Sequence, residues 1–183
     1  MKVAVYLGSS EHCRPVFLKT AYELGKRLAE AGHTLVYGGA NVGTMKLLAD
    51  GALDAGGHVI GVFPEGFRGT REVQESGIEV VRKDLPEMHF TADFAERKKL
   101  MEEISDCCVA LPGSYGTLDE LFTYACNRCV DTHSKQSYVL NIEGFYEPIK
   151  AMLRNIADNG FLKPSATGIL TFCDSVDELI EKL

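Results

Sequence analysis

The 183-residue chain has no apolar run long enough to span a bilayer, and Met1 leads straight into a short apolar stretch, Lys2–Leu7, with no leader pattern before it. The expectation is a cytoplasmic protein with no membrane partner. Positive charge is also scarce, with 19 Lys and Arg against 26 Asp and Glu and a formal net charge of −7. No basic cluster of the density a nucleic-acid backbone requires is present, so nucleic acid is not the expected partner. One phosphate group could still be held locally by backbone amides. Linkers, repeats and low-complexity tracts are missing, and a single domain over residues 1–183 is expected. Among six cysteines, Cys126 and Cys129 have CxxC spacing, yet no second such pair and no Cys/His pair completes a four-ligand zinc set. No metal and no cofactor are expected, and the cysteines read as reduced thiols of a reducing compartment.

What is present is an alternation of apolar runs and amphipathic stretches. Strands are predicted at Val3–Leu7, Thr34–Tyr37, His58–Phe63, Glu79–Arg82, 107–111, Ser137–Asn141 and Gly168–Phe172. Helices are predicted at Val16–Ala31, Val42–Ala55, 91–105, 117–130, Phe145–Asn159 and Val176–Leu183. Repeated strand–helix units with near-continuous apolar strands imply an α/β fold, a parallel sheet with helices on both faces. Ligands of such sheets sit beyond the carboxyl ends of the strands. The long irregular stretch 64–78 follows the third strand and is expected to hang over that edge as a mobile flap.

Three glycine-bearing turns follow strands at that edge: Gly8–Ser10; Gly38, Gly39 and Gly43 with Thr44; and Gly113–Thr117. One such turn is weak evidence, since any strand-to-helix turn can need glycine. Three at one edge favour a nucleotide. Neither standard fingerprint is complete: Thr44 and Met45 stand where a P-loop needs Lys followed by Ser or Thr, and the first turn lacks the dinucleotide pattern. An ATPase or a nicotinamide-dependent dehydrogenase is therefore disfavoured. The turn after Leu111 delivers bare N–H groups to the positive end of a helix dipole, where an anion can sit. Glu120 lies on the first turn of that helix, although Thr117 and Glu120 also have the spacing of a capping box. Arg97, Lys98 and Lys99 fall early in the preceding helix, either as a solvated face or with one cation aimed at the same pocket.

The stretch Leu111–Phe122 resembles the PGGxGTxxE signature of the Lonely Guy family of cytokinin riboside 5′-monophosphate phosphoribohydrolases, long labelled possible lysine decarboxylases. The resemblance extends through Gly8–Ser10, Tyr37–Gly39 with Gly43 and Met45, Gly57–Pro64 and Glu96–Lys98. It implies a Rossmann-like fold, a homodimer, and cleavage of the N-glycosidic bond of an AMP-type nucleotide. By motif position it implies Arg97 and Glu120 as catalytic residues, and Gly113, Ser114, Tyr115, Gly116 and Thr117 as the phosphate loop. Gly8, Ser9, Gly38, Gly39, Gly43, Thr44, Met45 and Lys98 are implied as further substrate contacts. The chain departs from the pattern at Ser114, Ala40, Lys46 and Ala95, which marks a divergent member.

The expected reaction releases a free base and ribose 5-phosphate, with Glu120 stabilising positive charge on the ribose and Arg97 orienting the substrate. The alternative is a carrier of a nucleotide or molybdenum cofactor on the same fold. A lysine decarboxylase is poorly supported, since no Schiff-base lysine site is recognisable. A homodimer is expected around the helix Leu118–Val130, whose apolar residues exceed one stripe.

Overall fold

The central strands are apolar on both faces, so they must be covered on both, and that requirement sets the architecture. The computed structural model describes residues 1–67 and 80–183. In chain order the main elements are β1 (Lys2–Tyr6), α1 (Pro15–Glu30), β2 (Thr34–Tyr37), α2 (Gly43–Asp54), β3 (Val59–Pro64), β4 (Glu87–Thr91), α3 (Phe94–Ile104), β5 (Cys107–Ala110), α4 (Tyr115–Cys129), β6 (Gln136–Leu140), α5 (Glu147–Asp158), β7 (Leu170–Cys173) and α6 (Val176–Lys182). All seven strands run parallel, in the order β4-β3-β2-β1-β5-β6-β7.

Alternation along each strand sends successive side chains to opposite faces. Val3, Val5, Leu35 and Val59 face a core closed by Leu24 and Leu28 of α1, Leu48 and Ala52 of α2, and Leu179 of α6. Ala4, Tyr6, Val36 and Ile60 face the opposite core, closed by Met101 of α3, Leu121 and Tyr124 of α4, and Tyr146 at the start of α5. The α/β sandwich expected from the sequence is the one observed. On the first face α1 and α2 meet backbone to backbone: a methyl group on Gly25 would lie 1.9 Å from the Leu48 carbonyl oxygen, and one on Gly51 would lie 2.0 Å from that of Tyr22.

One strand differs from expectation. Residues 80–82 of the predicted Glu79–Arg82 strand form no strand of the sheet; the fourth strand is Glu87–Thr91 instead. Val80 and Val81 gain burial another way, by docking on the turn after β2. The Asn41 N–H donates to the Val80 carbonyl at 2.7 Å, the Arg82 N–H donates to the Gly39 carbonyl at 2.9 Å, and Ala40 and Val81 form an isolated antiparallel bridge. The Arg82 guanidinium anchors this segment on Asp50 of α2 and on Asp84. β4 is an edge strand with little buried apolar surface, so the hydrophobic signal of the sequence missed it. Most of the flap expected at 64–78 lies outside the described residues.

Candidate active site

The turns after β1, β2 and β5 touch one another at the carboxyl edge of the sheet. The Gly8 N–H donates to the Pro112 carbonyl at 3.3 Å, and the Thr44 hydroxyl donates to the Gly8 carbonyl. Side chains would not fit between these backbones. A methyl group on Gly113 would stand 2.1 Å from the Thr117 hydroxyl and 2.7 Å from the Gly8 nitrogen, and one on Gly43 would stand 2.1 Å from the Ser9 carbonyl oxygen. Gly39 and Gly43 also have positive φ, at 68° and 50°, which glycine adopts without strain.

Helix starts differ in their capping, α3 and α6 having side-chain caps and α1, α2, α4 and α5 none. Asp93 caps α3 by accepting from the Ala95 and Glu96 N–H groups, and Ser175 caps α6 by accepting from Glu178 N–H. The helices α2 and α4, which start at the convergent turns, have no side-chain cap. In α4 the first intrahelical bond runs from Leu118 N–H to the Ser114 carbonyl at 3.1 Å, which leaves the N–H groups of Tyr115, Gly116 and Thr117 ahead of it. Space opens around Gly116, and Tyr115 is 91 % exposed. The helix thus begins two residues before the predicted Thr117, and no capping box forms. Thr117 is already in the third helical position, and its hydroxyl lies against Gly113.

Glu120 is turned to a different partner. Its Oε1 accepts from Arg97 Nη1 at 2.5 Å, with both side chains only 10 % exposed. Arg97 is fixed from behind as well: its Nε donates to the Val62 carbonyl at 3.0 Å. A methyl group on Gly38 would fall 1.9 Å from Arg97 Nη2 and 2.6 Å from the Met45 methyl carbon, so the second turn is glycine there to admit the guanidinium. Burial raises the pKa of the Glu120 carboxyl, and the Arg97 charge opposes that rise. The phenyl ring of Phe94 lies beside the guanidinium, 5.9 Å from its centroid, and meets Phe67 edge-on at 5.0 Å.

The structure therefore brings together Gly8, Ser9, Gly38, Gly43, Thr44, Met45, Gly113, Thr117, Arg97 and Glu120. Lys98 points elsewhere, pairing with both oxygens of Asp119 at 2.9 and 2.8 Å across α3 and α4. Ala40 and Lys46, two departures from the family pattern, are absorbed by the Val81 bridge and an ion pair to Asp50. The aromatic group Phe63, Phe67 and Phe94 beside Arg97 was not foreseen, because its members come from β3, the residues after it, and α3, with no common spacing.

Comparison with solved structures finds this fold in the molybdenum cofactor binding protein from the phototrophic bacterium Rippkaea orientalis, with a TM-score of 0.71, 25 % identity, and coverage of 99 % of this chain and 93 % of that one. Among characterised sequences, a probable cytokinin riboside 5′-monophosphate phosphoribohydrolase of Oryza sativa subsp. japonica is 37 % identical over 100 % of this chain and 71 % of its own length. A cytokinin riboside 5′-monophosphate phosphoribohydrolase of Rhodococcoides fascians is 34 % identical over 97 % of this chain and 86 % of its own. The family model described as "Possible lysine decarboxylase" matches residues 45–183. With full-length relatives at this identity and the signature turn built as above, the chain belongs to the Lonely Guy family, the phosphoribohydrolase family that carries the possible lysine decarboxylase description.

Proposed function

We propose that this protein hydrolyses the N-glycosidic bond of a nucleoside 5′-monophosphate, AMP or an N6-substituted AMP such as a cytokinin precursor, to free base and ribose 5-phosphate. The observation that carries the reading is the buried Arg97–Glu120 pair next to the uncapped start of α4. The phosphate rests on the N–H groups of the Gly113–Thr117 turn, where the helix dipole favours an anion. The turns holding Gly8, Ser9, Gly38, Gly39, Gly43, Thr44 and Met45 wall the ribose. Cleavage builds positive charge on the sugar, and an ionised carboxylate in a water-poor site stabilises that charge or orients the attacking water. The Arg97 charge opposes the pKa rise that burial imposes on Glu120 and so favours its ionised form. The leaving base takes up the proton that the water loses, and no redox step is needed.

A carrier function is the second reading, favoured by the likeness to the molybdenum cofactor binding protein. A carrier gives the buried Arg97–Glu120 pair no task, and the relatives at higher identity are named as phosphoribohydrolases. Incubation with AMP and N6-substituted AMP, scored for ribose 5-phosphate and free base, separates the two. Release of both products supports the hydrolase; binding without release of either supports the carrier.

The working form in this reading is a cytoplasmic homodimer. The outer side of α4 leaves Phe122, Cys126, Cys129 and Val130 uncovered, with Val130 65 % exposed, and Met152 of α5 is exposed as well. A second copy is the expected cover for that surface.

A further inference from the structure

A second cleft, about 700 Å3 in volume, lies between α3, α4 and the chain that follows α4, away from the convergent turns. Its lining includes Lys98, Lys99 and Glu102 of α3, Asn127 of α4, and His133 and Lys135 after it. The His133 side chain is only 9 % exposed, and its ring packs against Tyr124 at a tilt of 57°, with centroids 4.7 Å apart. Its Nδ1 accepts from the Lys135 backbone N–H at 3.1 Å, so the ring proton of the neutral imidazole is on Nε2. Among the described residues that Nε2 has no hydrogen-bond partner; the carboxylate oxygen Glu102 Oε1 is 3.6 Å away. A buried N–H donor without an acceptor costs about 1–3 kcal/mol, so this is an unusual place to leave one.

The rim supplies lysine ammonium donors, which suit an acceptor that is negative. Three lysines line the cleft with two glutamates, Glu102 and Glu103; Lys98 pairs with Asp119, and Lys135 Nζ donates to the Glu102 and Glu103 backbone carbonyls at 2.5 and 3.4 Å. Glu102 is already engaged, since its Oε2 accepts from Asn127 Nδ2 at 2.7 Å. Glu103 pairs with Lys99. We infer that this cleft is a second ligand site, taking a small phosphate- or carboxylate-bearing anion between the lysine rim and His133 Nε2. The site is coupled to the first by its walls. α3 and α4 also carry Arg97 and Glu120, and the residues next to those two, Lys98 and Asp119, clamp the helices together at the mouth of the cleft. An anion that draws on Lys98 competes with that clamp and alters how closely the two helices hold the Arg97–Glu120 pair. The binding site goes beyond the proposed reaction and does not depend on it; its effect on the rate of AMP cleavage rests on that reading.

The test follows the His133 imidazole by NMR in the whole protein during titration with inorganic phosphate, ribose 5-phosphate and citrate, each alone. Because phosphate is also expected at the α4 turn, the signal is read at His133 and repeated in Lys99→Glu and His133→Gln, with folding checked by circular dichroism. The expected result is a saturable His133 shift with at least one anion, weakened about tenfold or more by Lys99→Glu; ion-pair and hydrogen-bond losses of this kind are of that order. Folded Lys99→Glu and His133→Gln should keep the anion-free rate of AMP cleavage but lose the dependence of that rate on the active anion. A shift with ribose 5-phosphate or inorganic phosphate but not citrate identifies a phosphate site, and the converse a carboxylate site. No His133 shift with any of the three, or a shift that Lys99→Glu leaves unchanged, overturns the inference.

Discussion

At the scale of single residues, the proposed chemistry turns on one short contact, Arg97 to Glu120. Glu120→Gln keeps the shape and removes the charge, so turnover of AMP should fall about a hundredfold or more while the melting temperature moves little, since a positioned carboxylate contributes on that scale. Arg97→Ala should lose turnover as well and also lose about 3 kcal/mol of stability in denaturant unfolding, because it strands a buried carboxylate. Wild-type rates in folded forms of both would remove the pair from the mechanism. The pH dependence has a definite sign. Burial raises the Glu120 pKa, so the ionised form, and with it activity, is lost as pH falls through that raised value. Its contribution to stability runs the other way, being full below the unfolded pKa and lost as pH rises through the folded one. A pH–rate profile should therefore show an acid limb that moves to higher pH when the Arg97 charge is weakened. Gly38→Ala is a sharper probe, since its methyl group would meet Arg97 Nη2 at 1.9 Å. An arginine displaced by that much should cost about a hundredfold in rate. Arg97 and Glu120 were both readable in the sequence as motif residues. Their direct pairing was not, because they lie 23 residues apart on two helices, and only the packing of α3 beside α4 joins them.

Elements explain where an anion can bind. The helices capped by Asp93 and Ser175 have their first N–H groups occupied, while α4 holds its own open at the site. AMP should accordingly bind at least tenfold more tightly than adenosine in calorimetry, a difference that one or two charge-assisted bonds of about 1.5–3 kcal/mol supply. Equal affinities would rule out the α4 turn as the phosphate seat. The sequence signalled this turn clearly through Pro112, Gly113 and Gly116, yet it placed the helix start at Thr117 and proposed a cap between Thr117 and Glu120. That proposal used local spacing alone, and Arg97, a distant residue, takes the carboxylate away from the helix end. The Glu79–Arg82 strand failed for a similar reason. Two adjacent valines satisfy a strand pattern, but their burial comes from the Gly39–Asn41 turn, and the true edge strand, with Phe90 facing out, has little pattern to read.

At the scale of the whole molecule the apolar outer side of α4 predicts assembly. Multi-angle light scattering at micromolar concentration should give the mass of two chains, and Val130→Glu should give one. An active wild-type monomer would exclude the dimer from the mechanism. The alternation of strands and helices made the sandwich legible in advance, whereas the strand order was not, since periodicity carries no record of which strands become neighbours. That order has a consequence in time. The central pair β1 and β5 joins the beginning of the chain to its second half, and the Lys2 N–H reaches Asp106 across 104 residues. The glycine-sealed α1–α2 pair needs only sequence neighbours, so it can form early, before a loop of that size closes. The convergent turns exist only after β5 has docked on β1. During refolding, the recovery of catalysis should therefore trail the recovery of helical signal, with the seam between the two halves the last part of the molecule to become competent.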